Sequence, residues 1–500
     1  MIKADTTYLN EIEQLTAERI EEIRSLPDIK KVSGTSYYVS AEGNDENDGL
    51  SPNSPWQTLA KVNNAELCPG DGVFFRRGDL FREQIIAKEG VTYAAYGEGE
   101  KPRFYTGFRD LADPELWSLY DSEHNIWKLN CLITDCGTLV FNHGEAHSRK
   151  HIPSFKDMKF VCREDESREF CISTELTLDL DIVCFFSASL TEEPSKGESF
   201  PIPNLLGDTS GELYLRCDRG NPGDVFDSIE ALERKTMIRV KGNNVTIDNL
   251  CLKYVGIHGI GGGGKCLKGL HVSGCEIGWV GGVIQHYYGT DPNYPQGRRG
   301  SVTRFGNAVE IYGGCEDYSV TDCYIYQVYD AGITHQVSTG STVYNMKNIR
   351  YLNNVIEKCV YSIEYFLEKY DRSNESLISD CEISGNILRL SGYGWGQQRH
   401  NFYTPAHIKG WSYDNTARDF KIHDNLFDRA AYRMVHLVAY EKESCPEMYN
   451  NTYVQKLGLP LGQYGANNIA EPANIVFDEN IDLTLQSVLK DKDAKAICIE

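Results

Sequence analysis

Apolar and polar residues alternate with a period of two over much of the second half of the chain, and the alternation recurs around similar corners. Six segments share the pattern apolar–x–apolar–x–(Asn, Asp or Gly)–x–x–apolar: VTIDNLCL from Val245, LHVSGCEI from Leu270, YSVTDCYI from Tyr318, IRYLNNVI from Ile349, CEISGNIL from Cys381 and FKIHDNLF from Phe420. Their fifth positions are Asn249, Gly274, Asp322, Asn353, Gly385 and Asp424. Because these residue types tolerate a left-handed backbone at a sharp bend, each segment predicts a strand, a bend and a second strand.

The spacing of these corners predicts a solenoid. Successive segments begin 25, 48, 31, 32 and 39 residues apart. A repeat of roughly 20 residues or more is typical of solenoids, so the excess residues predict loops, and such loops usually build the binding face. A period of two excludes coiled coils and helical repeats. The predicted fold class is therefore an all-β, right-handed parallel β-helix.

The rest of the chain divides into four predicted regions. Residues 1–35 form an amphipathic helix, 36–107 the first β-helix rungs, 108–235 an inserted, sandwich-like β-rich domain, and 236–500 the main β-helix with its C-terminal cap. The apolar stripe of the helix comprises Leu9, Ile12, Leu15, Ile20 and Ile23.

Composition narrows the choice of partners. The net charge of −22 argues against nucleic acid, and more weakly against polyanionic substrates. No apolar run is long enough to cross a membrane, and the N-terminus lacks the apolar core of a signal peptide. The 16 cysteines form no CxxC pair or zinc pattern. We therefore expect reduced, mostly buried thiols, a cytoplasmic protein, no metal or other cofactor, and possible homo-oligomers.

Two stretches near the N-terminus carry a family resemblance. Gly43-Asn44-Asp45-Glu46-Asn47-Asp48-Gly49 with Pro55-Trp56, and Pro69-Gly70-Asp71 followed by Gly78-Asp79, resemble the opening of pectate-lyase-like β-helix proteins. The order of first rungs, inserted β-domain and continuous helix is similar to β-helix glycoside hydrolases of the β-xylosidase and fucosidase or xylanase types. The resemblance implies a parallel β-helix that acts on carbohydrate, although lyases and epimerases share the fold.

Three carboxylates are the candidate catalytic groups. Aligning Val309, Ile333 and Ile363 as inward-facing residues puts Glu310, Thr334 and Glu364 on the outer face of successive rungs, with Asp330 in the turn of the middle rung. Rungs lie about 4.8 Å apart, so these acids can span the separations that glycosidases need. The preferred pair is Asp330 as nucleophile or base and Glu364 as acid, with Glu310 as an alternative acid or a sugar ligand.

Two long insertions, 281–306 and 391–411, predict a cleft over the same face. With neighbouring strand residues they provide the candidate substrate-binding side chains, which are His258, Gln336, Tyr288, Arg298, Tyr361, Trp395, His407 and His436. His335 and His436 can equally point into the stack. The glycines at 261–264 lack the following GK[ST] of a phosphate loop, and we interpret them as a turn.

The function favoured by these residues is hydrolysis of short, neutral oligosaccharides by two carboxylates. A polysaccharide lyase or uronate epimerase on the same fold is an alternative, but it calls for a basic side chain and a group that neutralises the uronate. A non-catalytic carbohydrate-binding β-helix is the third hypothesis, and it needs no matched acids.

Overall fold

The chain winds through three long sheets, as a computed structural model shows. The structure describes residues 2–4, 6–29, 31–123, 125–150, 183–188, 210–264, 266–287, 302–398, 404–466 and 473–499. Each complete rung contributes one strand to each sheet, and neighbouring rungs pair in parallel. The predicted right-handed parallel β-helix is confirmed.

The strands of the sheets are as follows. The first sheet contains Ser36–Val39, Gly72–Arg76, Thr92–Tyr96, Val245–Asp248, Leu267–Ser273, Cys315–Thr321, Asn345–Leu352, Leu377–Ser384, Ala417–His423 and Glu447–Tyr449. The second contains Leu80–Phe81, Arg103–Tyr105, Cys251–Val255, Glu276–Val280, Tyr324–Val328, Val355–Glu357, Ile387–Ser391, Leu426–Ala430, Thr452–Lys456, Lys495–Ile499 and Ile2–Ala4. The third contains Ile85–Ala87, Ile238–Val240, Ile260–Gly263, Val309–Tyr312, Ala331–Thr339, Tyr361–Lys369, Ala406–Gly410, Arg433–Ala439, Pro460–Ala466 and the antiparallel Ala473–Val476.

The six predicted corners join the first sheet to the second. Each fifth position has a left-handed backbone, with φ of 57° at Asn249, 59° at Gly274, 52° at Asp322, 58° at Asn353, 66° at Gly385 and 55° at Asp424. The sequence pattern therefore predicted both the position of the corner and its conformation.

A ladder of buried asparagines runs directly behind these corners. It comprises Asn354, Asn386, Asn425 and Asn451, one in each successive rung. Asn386 Nδ2 donates to the carbonyl of Tyr351 at 2.9 Å, and its Oδ1 accepts from the backbone N–H of Asn354 at 3.0 Å. The ladder ends where Asn451 Nδ2 donates to Asp491 at 2.8 Å. These amides satisfy backbone groups that the bend removes from the sheets.

The core is made of columns of like residues stacked from rung to rung. On the third sheet, Val309, Ile333, Ile363, Ile408 and Val435 are paired in register and fully buried. The alignment that predicted these residues as inward-facing is therefore correct. His335 also points inward, where its Nδ1 lies 2.8 Å from the hydroxyl of Tyr351.

The strands in the region predicted as an inserted domain pair antiparallel, except that Arg149–Lys150 and Val183–Ala188 pair in parallel. One sheet contains Trp117–Asp121, Ile126–Leu129, Ile133–Thr134, Arg149–Lys150, Val183–Ala188 and Ser210–Cys217, and another Cys136–Phe141, Ala146–His147 and Ile229–Glu233. Val283–Tyr287 and Val302–Phe305 form an antiparallel hairpin, which is hydrogen-bonded to Asp135 and Gly137. Short helical segments are Leu59–Asn64, Pro114–Leu116, Asn142–Gly144, Pro222–Val225, Trp395–Gln398, Lys442–Ser444, Ile481–Thr484 and Leu485–Leu489.

The N-terminal helix, Thr6–Arg24, lies across several rungs on the second sheet. Ile12 packs against Val454 and Ile497, and Ile23 packs against Val355. Leu15 is 51% exposed, so its place in the apolar stripe was wrong. The buried face instead runs through Ile12, Thr16 and Ile23. Thr16 can be buried because its hydroxyl donates to the carbonyl of Ile12 at 2.7 Å.

The described cysteines are free thiols, and Cys251, Cys275, Cys323 and Cys359 are buried apolar residues as predicted. Within the described ranges, no helix combines the length and apolar composition needed to cross a membrane.

We expect Asn386→Ala to lower the free energy of unfolding by about 3 kcal/mol, because it leaves several buried backbone groups without partners. The matched control is Asn345→Ala, at an exposed position of the adjacent sheet, with an expected loss below about 0.5 kcal/mol. Urea unfolding of both variants measures the difference. Equal losses would contradict a stabilising role for the ladder.

Candidate active site

A cavity of about 690 Å³ opens over the third sheet and the base of the 283–305 hairpin. Its lining contains the three predicted acids, Glu310, Asp330 and Glu364, together with the predicted ligands His258 and Gln336. The size lies within the range of small-molecule sites in proteins. This cavity is the candidate active site.

Strand register brings the acids together. One outward column runs along the third sheet through Gly261, Glu310, Thr334, Glu364, Lys409 and His436. Glu310 and Glu364 are thus two rungs, or about 9.5 Å of backbone, apart. Asp330 lies in the turn immediately before the strand Ala331–Thr339, between them.

Glu310 is a buried carboxyl with no ion-pair partner among the described residues. Its Oε2 accepts from the hydroxyl of Thr334 at 2.6 Å and from the side-chain amide of Asn307. Burial raises the pKa of Glu310 to about 7, these two hydrogen bonds oppose the rise, and the negative charge of Asp330 adds to it. Glu310 can therefore hold its proton near neutral pH.

Asn307 organises the groups around Glu310. Its Oδ1 accepts from the backbone N–H of Ala331 at 2.8 Å, and its own N–H donates to His258 Nδ1 at 3.1 Å. Because Nδ1 accepts, the neutral imidazole carries its proton on Nε2. Burial lowers the pKa of His258 to about 4, against the opposing charge of Asp330, so this ring is neutral at pH 7 and offers a donor.

Glu364, unlike Glu310, has an ion-pair partner. Lys409 Nζ lies 2.8 Å from its Oε1, and Gln336 Nε2 donates to its Oε2 at 2.9 Å. Burial works to lower the pKa of Lys409, but the facing Glu364 carboxylate outweighs it and the pKa is raised. The ammonium therefore stays charged, and it holds Glu364 as a carboxylate.

Asp330 is the common electrostatic neighbour of the site. Its charge acts on Glu310, on His258 and on Lys409. Asp330 is also partly exposed to the cavity. It can therefore meet a substrate directly while it biases the protonation of the groups around it.

An aromatic row lies beside the acids, two residues further along the same strands. Tyr312 and Phe366 have ring centroids 6.4 Å apart, and Phe366 and Trp411 are 4.7 Å apart. All three line the cavity, and Tyr312 is 48% exposed. Such rings suit the apolar faces of sugars.

Other predicted ligands lie elsewhere. Tyr361 is buried beneath Lys409, whose Nζ lies 3.9 Å from the ring centroid. His436 follows Lys409 in the outward column and contacts Arg433 at 2.9 Å, so it does not point into the stack. Tyr288 and Arg298 lie outside the described residues.

Two of the predicted ligands are core residues. His407 is fully buried, with its Nδ1 2.8 Å from the Ser391 hydroxyl. Trp395 is also fully buried; its indole N–H donates to the carbonyl of Gln327 at 2.8 Å. The buried guanidinium of Arg304 lies 6.0 Å from this ring. A surface role for these two side chains was wrong, because Trp395 lies in the short helical segment Trp395–Gln398 that packs against Tyr329, and His407 lies in the third-sheet strand Ala406–Gly410.

Sequence reasoning missed Lys409, Asn307 and the ring of Phe366. Extending the alignment of Glu310, Thr334 and Glu364 by one rung would have found Lys409, since the register pairs it with Glu364. The interpretation of residues 261–264 as a turn was also wrong, because Ile260–Gly263 is a strand of the third sheet. In the described ranges, no group of three or more His, Cys, Asp or Glu side chains is arranged to hold a metal ion.

Comparison with known proteins gives one short sequence match and several similar folds. No family model matches the chain. A lacto-N-biosidase of Bifidobacterium longum is 41% identical over 80 residues, which is 14% of this chain; the chain spans only 5% of the length of that relative.

Solved structures with a similar course include XylC in complex with xylose, with TM-score 0.39 and 12% identity, covering 89% of this chain and 74% of that one. A GH136 lacto-N-biosidase from Eubacterium ramulus has TM-score 0.34 and 12% identity, covering 93% and 68%. A rhamnogalacturonan lyase has TM-score 0.37 and 10% identity, covering 84% and 74%.

The raised pKa of Glu310 has a consequence for stability. The pKa of Glu310 is about 7 in the folded protein, and its ordinary value is 4.5. The folded protein therefore loses stability as pH rises from 4.5 to 7, because the unfolded chain ionises this carboxyl more easily. We expect Glu310→Gln, which lacks this charge, to gain roughly 3 kcal/mol relative to the wild type between pH 4 and pH 8. Urea unfolding at both pH values measures the gain. A difference that does not change with pH would contradict the burial of an uncompensated carboxyl.

Proposed function

We propose that the protein is a glycoside hydrolase that cleaves short, neutral oligosaccharides with two carboxyl groups. The observation that carries the proposal is a buried carboxyl, Glu310, whose pKa is raised to about 7 and which pairs with no described cation, in one cleft with Asp330, which is partly exposed to the cavity. Glycosidases need one carboxyl protonated and one ionised across the scissile bond. The local identity with a lacto-N-biosidase supports the same class of reaction.

The electrostatics favour Glu310 as the general acid. Glu364 was the preferred acid from the sequence, but the ammonium of Lys409 stabilises its carboxylate and opposes protonation. Asp330 acts on the anomeric carbon, directly or through a water molecule that it deprotonates. Glu364 and Gln336 then bind sugar hydroxyls at the neighbouring rung.

In the proposed reaction, Glu310 gives its proton to the glycosidic oxygen as the bond to the anomeric carbon breaks. The negative charge of Asp330 stabilises the positive charge that develops on the sugar ring. His258 donates a hydrogen bond from Nε2 to a hydroxyl of the bound sugar. The aromatic row packs against the adjoining sugar. Glu310 leaves the step ionised. If Asp330 attacks the anomeric carbon directly, Glu310 regains its proton from the water that then cleaves the bond between the sugar and Asp330; if Asp330 deprotonates the attacking water, that proton passes from Asp330 through solvent back to Glu310.

The lyase alternative receives less support from the site. Elimination needs a base, and Lys409, the cation that contacts Glu364, has a raised pKa. A protonated lysine cannot abstract a proton. Products that absorb in the ultraviolet would nevertheless identify elimination directly.

We also propose a cytoplasmic location, where the substrates would be imported oligosaccharides. The free state of the described cysteines supports a reducing compartment. The proposal of neutral substrates is supported by Asp330 and Glu364, which would repel an acidic sugar bound next to them.

We expect Glu310→Gln and Asp330→Asn each to cut turnover by at least about a hundredfold, the scale of a positioned acid or base, whereas Glu364→Gln, which loses a sugar-binding carboxylate, should mainly raise KM. The matched control is Glu368→Gln. It lies on the same face of the strand Tyr361–Lys369, where it accepts from Ser338 at 2.7 Å. A screen of aryl-glycosides and oligosaccharides with product NMR supplies the substrate and the stereochemical outcome. Near-normal rates in Glu310→Gln and Asp330→Asn would refute the proposal.

The pKa of Glu310 also sets a pH dependence. A general acid works only while protonated, so kcat/KM should fall as pH rises through about 7. Thr334→Val removes a hydrogen bond that lowers the pKa of Glu310, so this fall should move to higher pH. A pH profile of both proteins checks the shift. An unchanged profile in Thr334→Val would argue against Glu310 as the acid.

A further inference from the structure

The strand Ile260–Gly263 leaves a gap in the outward face of the third sheet. In the next rungs the two outward positions carry Glu310 and Tyr312, then Thr334 and Gln336. At the paired positions of this strand stand Gly261 and Gly263, which present bare backbone to the cavity. We call this gap the glycine hollow.

The neighbouring glycines have structural reasons that Gly263 lacks. A Cβ at the inward Gly262 would lie 2.8 Å from Leu267 Cδ2, and Gly264 has a φ of 130°. A Cβ at Gly263 would meet only the carbonyl oxygen of Tyr312, at 3.6 Å, which is ordinary contact. At Gly261 it would lie 3.0 Å from Thr236 Cγ2. The fold therefore permits a side chain at Gly263, yet the position is empty.

Glycine inside a strand weakens it, and it often marks a place where a ligand approaches the backbone closely. The walls of the hollow fit this interpretation. Arg239 precedes Gly261 in the outward column, and Glu310 follows it. His258 and Gln285 also line this part of the cavity. The hollow thus combines a flat floor with several hydrogen-bonding groups, and the proposed acid forms its edge.

We propose, on the basis of the proposed hydrolase function, that the glycine hollow is the subsite that determines specificity. It seats one neutral pyranose between Arg239 and Glu310, while the aromatic row on the other side of Glu310 holds the adjoining sugar. The scissile bond then lies over Glu310 and Asp330. A side chain at Gly263 would occupy the volume of the sugar ring without disturbing the sheet.

The test is direct binding, because it does not require turnover. Wild type, Gly263→Leu and Gly340→Leu are compared by ligand-observed NMR with glucose, galactose, N-acetylglucosamine, fucose and xylose, and with galacturonate as an acidic probe. Gly340 is the matched control, since nothing lies within 4 Å of a Cβ added there. We expect at least one neutral sugar to bind wild type and Gly340→Leu alike, and Gly263→Leu at least about tenfold more weakly.

Equal affinities in the three proteins, a preference for galacturonate, or no binding of any neutral sugar to the wild type would overturn the subsite. Gly263→Ala is a milder variant, and thermal unfolding shows whether each variant is folded. Comparing sugar binding with hydrolysis separates the two proposals, and Glu310→Gln allows binding to be measured without turnover. If the wild type binds the sugar in the hollow but hydrolyses no glycoside, the subsite stands and the hydrolase proposal falls. If Gly263→Leu binds and hydrolyses like the wild type, the reverse holds.

Discussion

Everything in this molecule depends on the strict stacking of rungs at the spacing of hydrogen-bonded strands. A parallel β-helix has no freedom to slide one rung past the next while its corners are locked. Here the residues with a left-handed backbone fix the position of each bend. The side-chain amides of the asparagine ladder bond to backbone N–H and C=O groups that have no partner in the sheets at the bend. A shift by one residue would turn the column of Val309, Ile333 and Ile363 outward and bury Glu310 and Glu364 in the apolar core.

The same stacking produces the chemistry of the cleft, because it fixes which charges are neighbours. Glu310 and Glu364 have the same residue type, the same strand position and similar burial, yet only Glu364 has an ammonium one rung further on. A single lysine therefore separates the protonation states of two otherwise equivalent carboxyls. Asp330 enters from a turn, so its charge acts on Glu310 and on Lys409 although it does not belong to the column.

Local chemistry explains how much of this was predictable from the sequence. The corners were predictable because Asn, Asp and Gly at a fixed position of an alternating pattern share one property, which is their tolerance of a left-handed backbone at a bend. The column of acids followed from register alone. The burial of Trp395 was not predictable, since it depends on how a short helical segment packs against Gln327 and Tyr329, which are distant in sequence. The burial of His407, in the strand Ala406–Gly410, depends on its partner Ser391, which local sequence does not indicate. The strand at 260–263 was missed because a run of glycines shows no alternation of apolar and polar side chains. Its extended backbone is imposed by the paired strands Ile238–Val240 and Val309–Tyr312.

The pairing of Ile2–Ala4 with Lys495–Ile499 brings together two segments that are almost as far apart in the chain as the sequence allows. Between them, the N-terminal helix crosses the second sheet and binds rungs formed by much later residues, such as Asp322 and Glu276. Contacts between segments so distant in sequence cost a large loop-closure entropy unless the intervening rungs have already folded, so we expect the helix to dock after them. Until it docks, the apolar side chains of the second sheet that it covers, such as Val355 and Val454, are exposed to solvent.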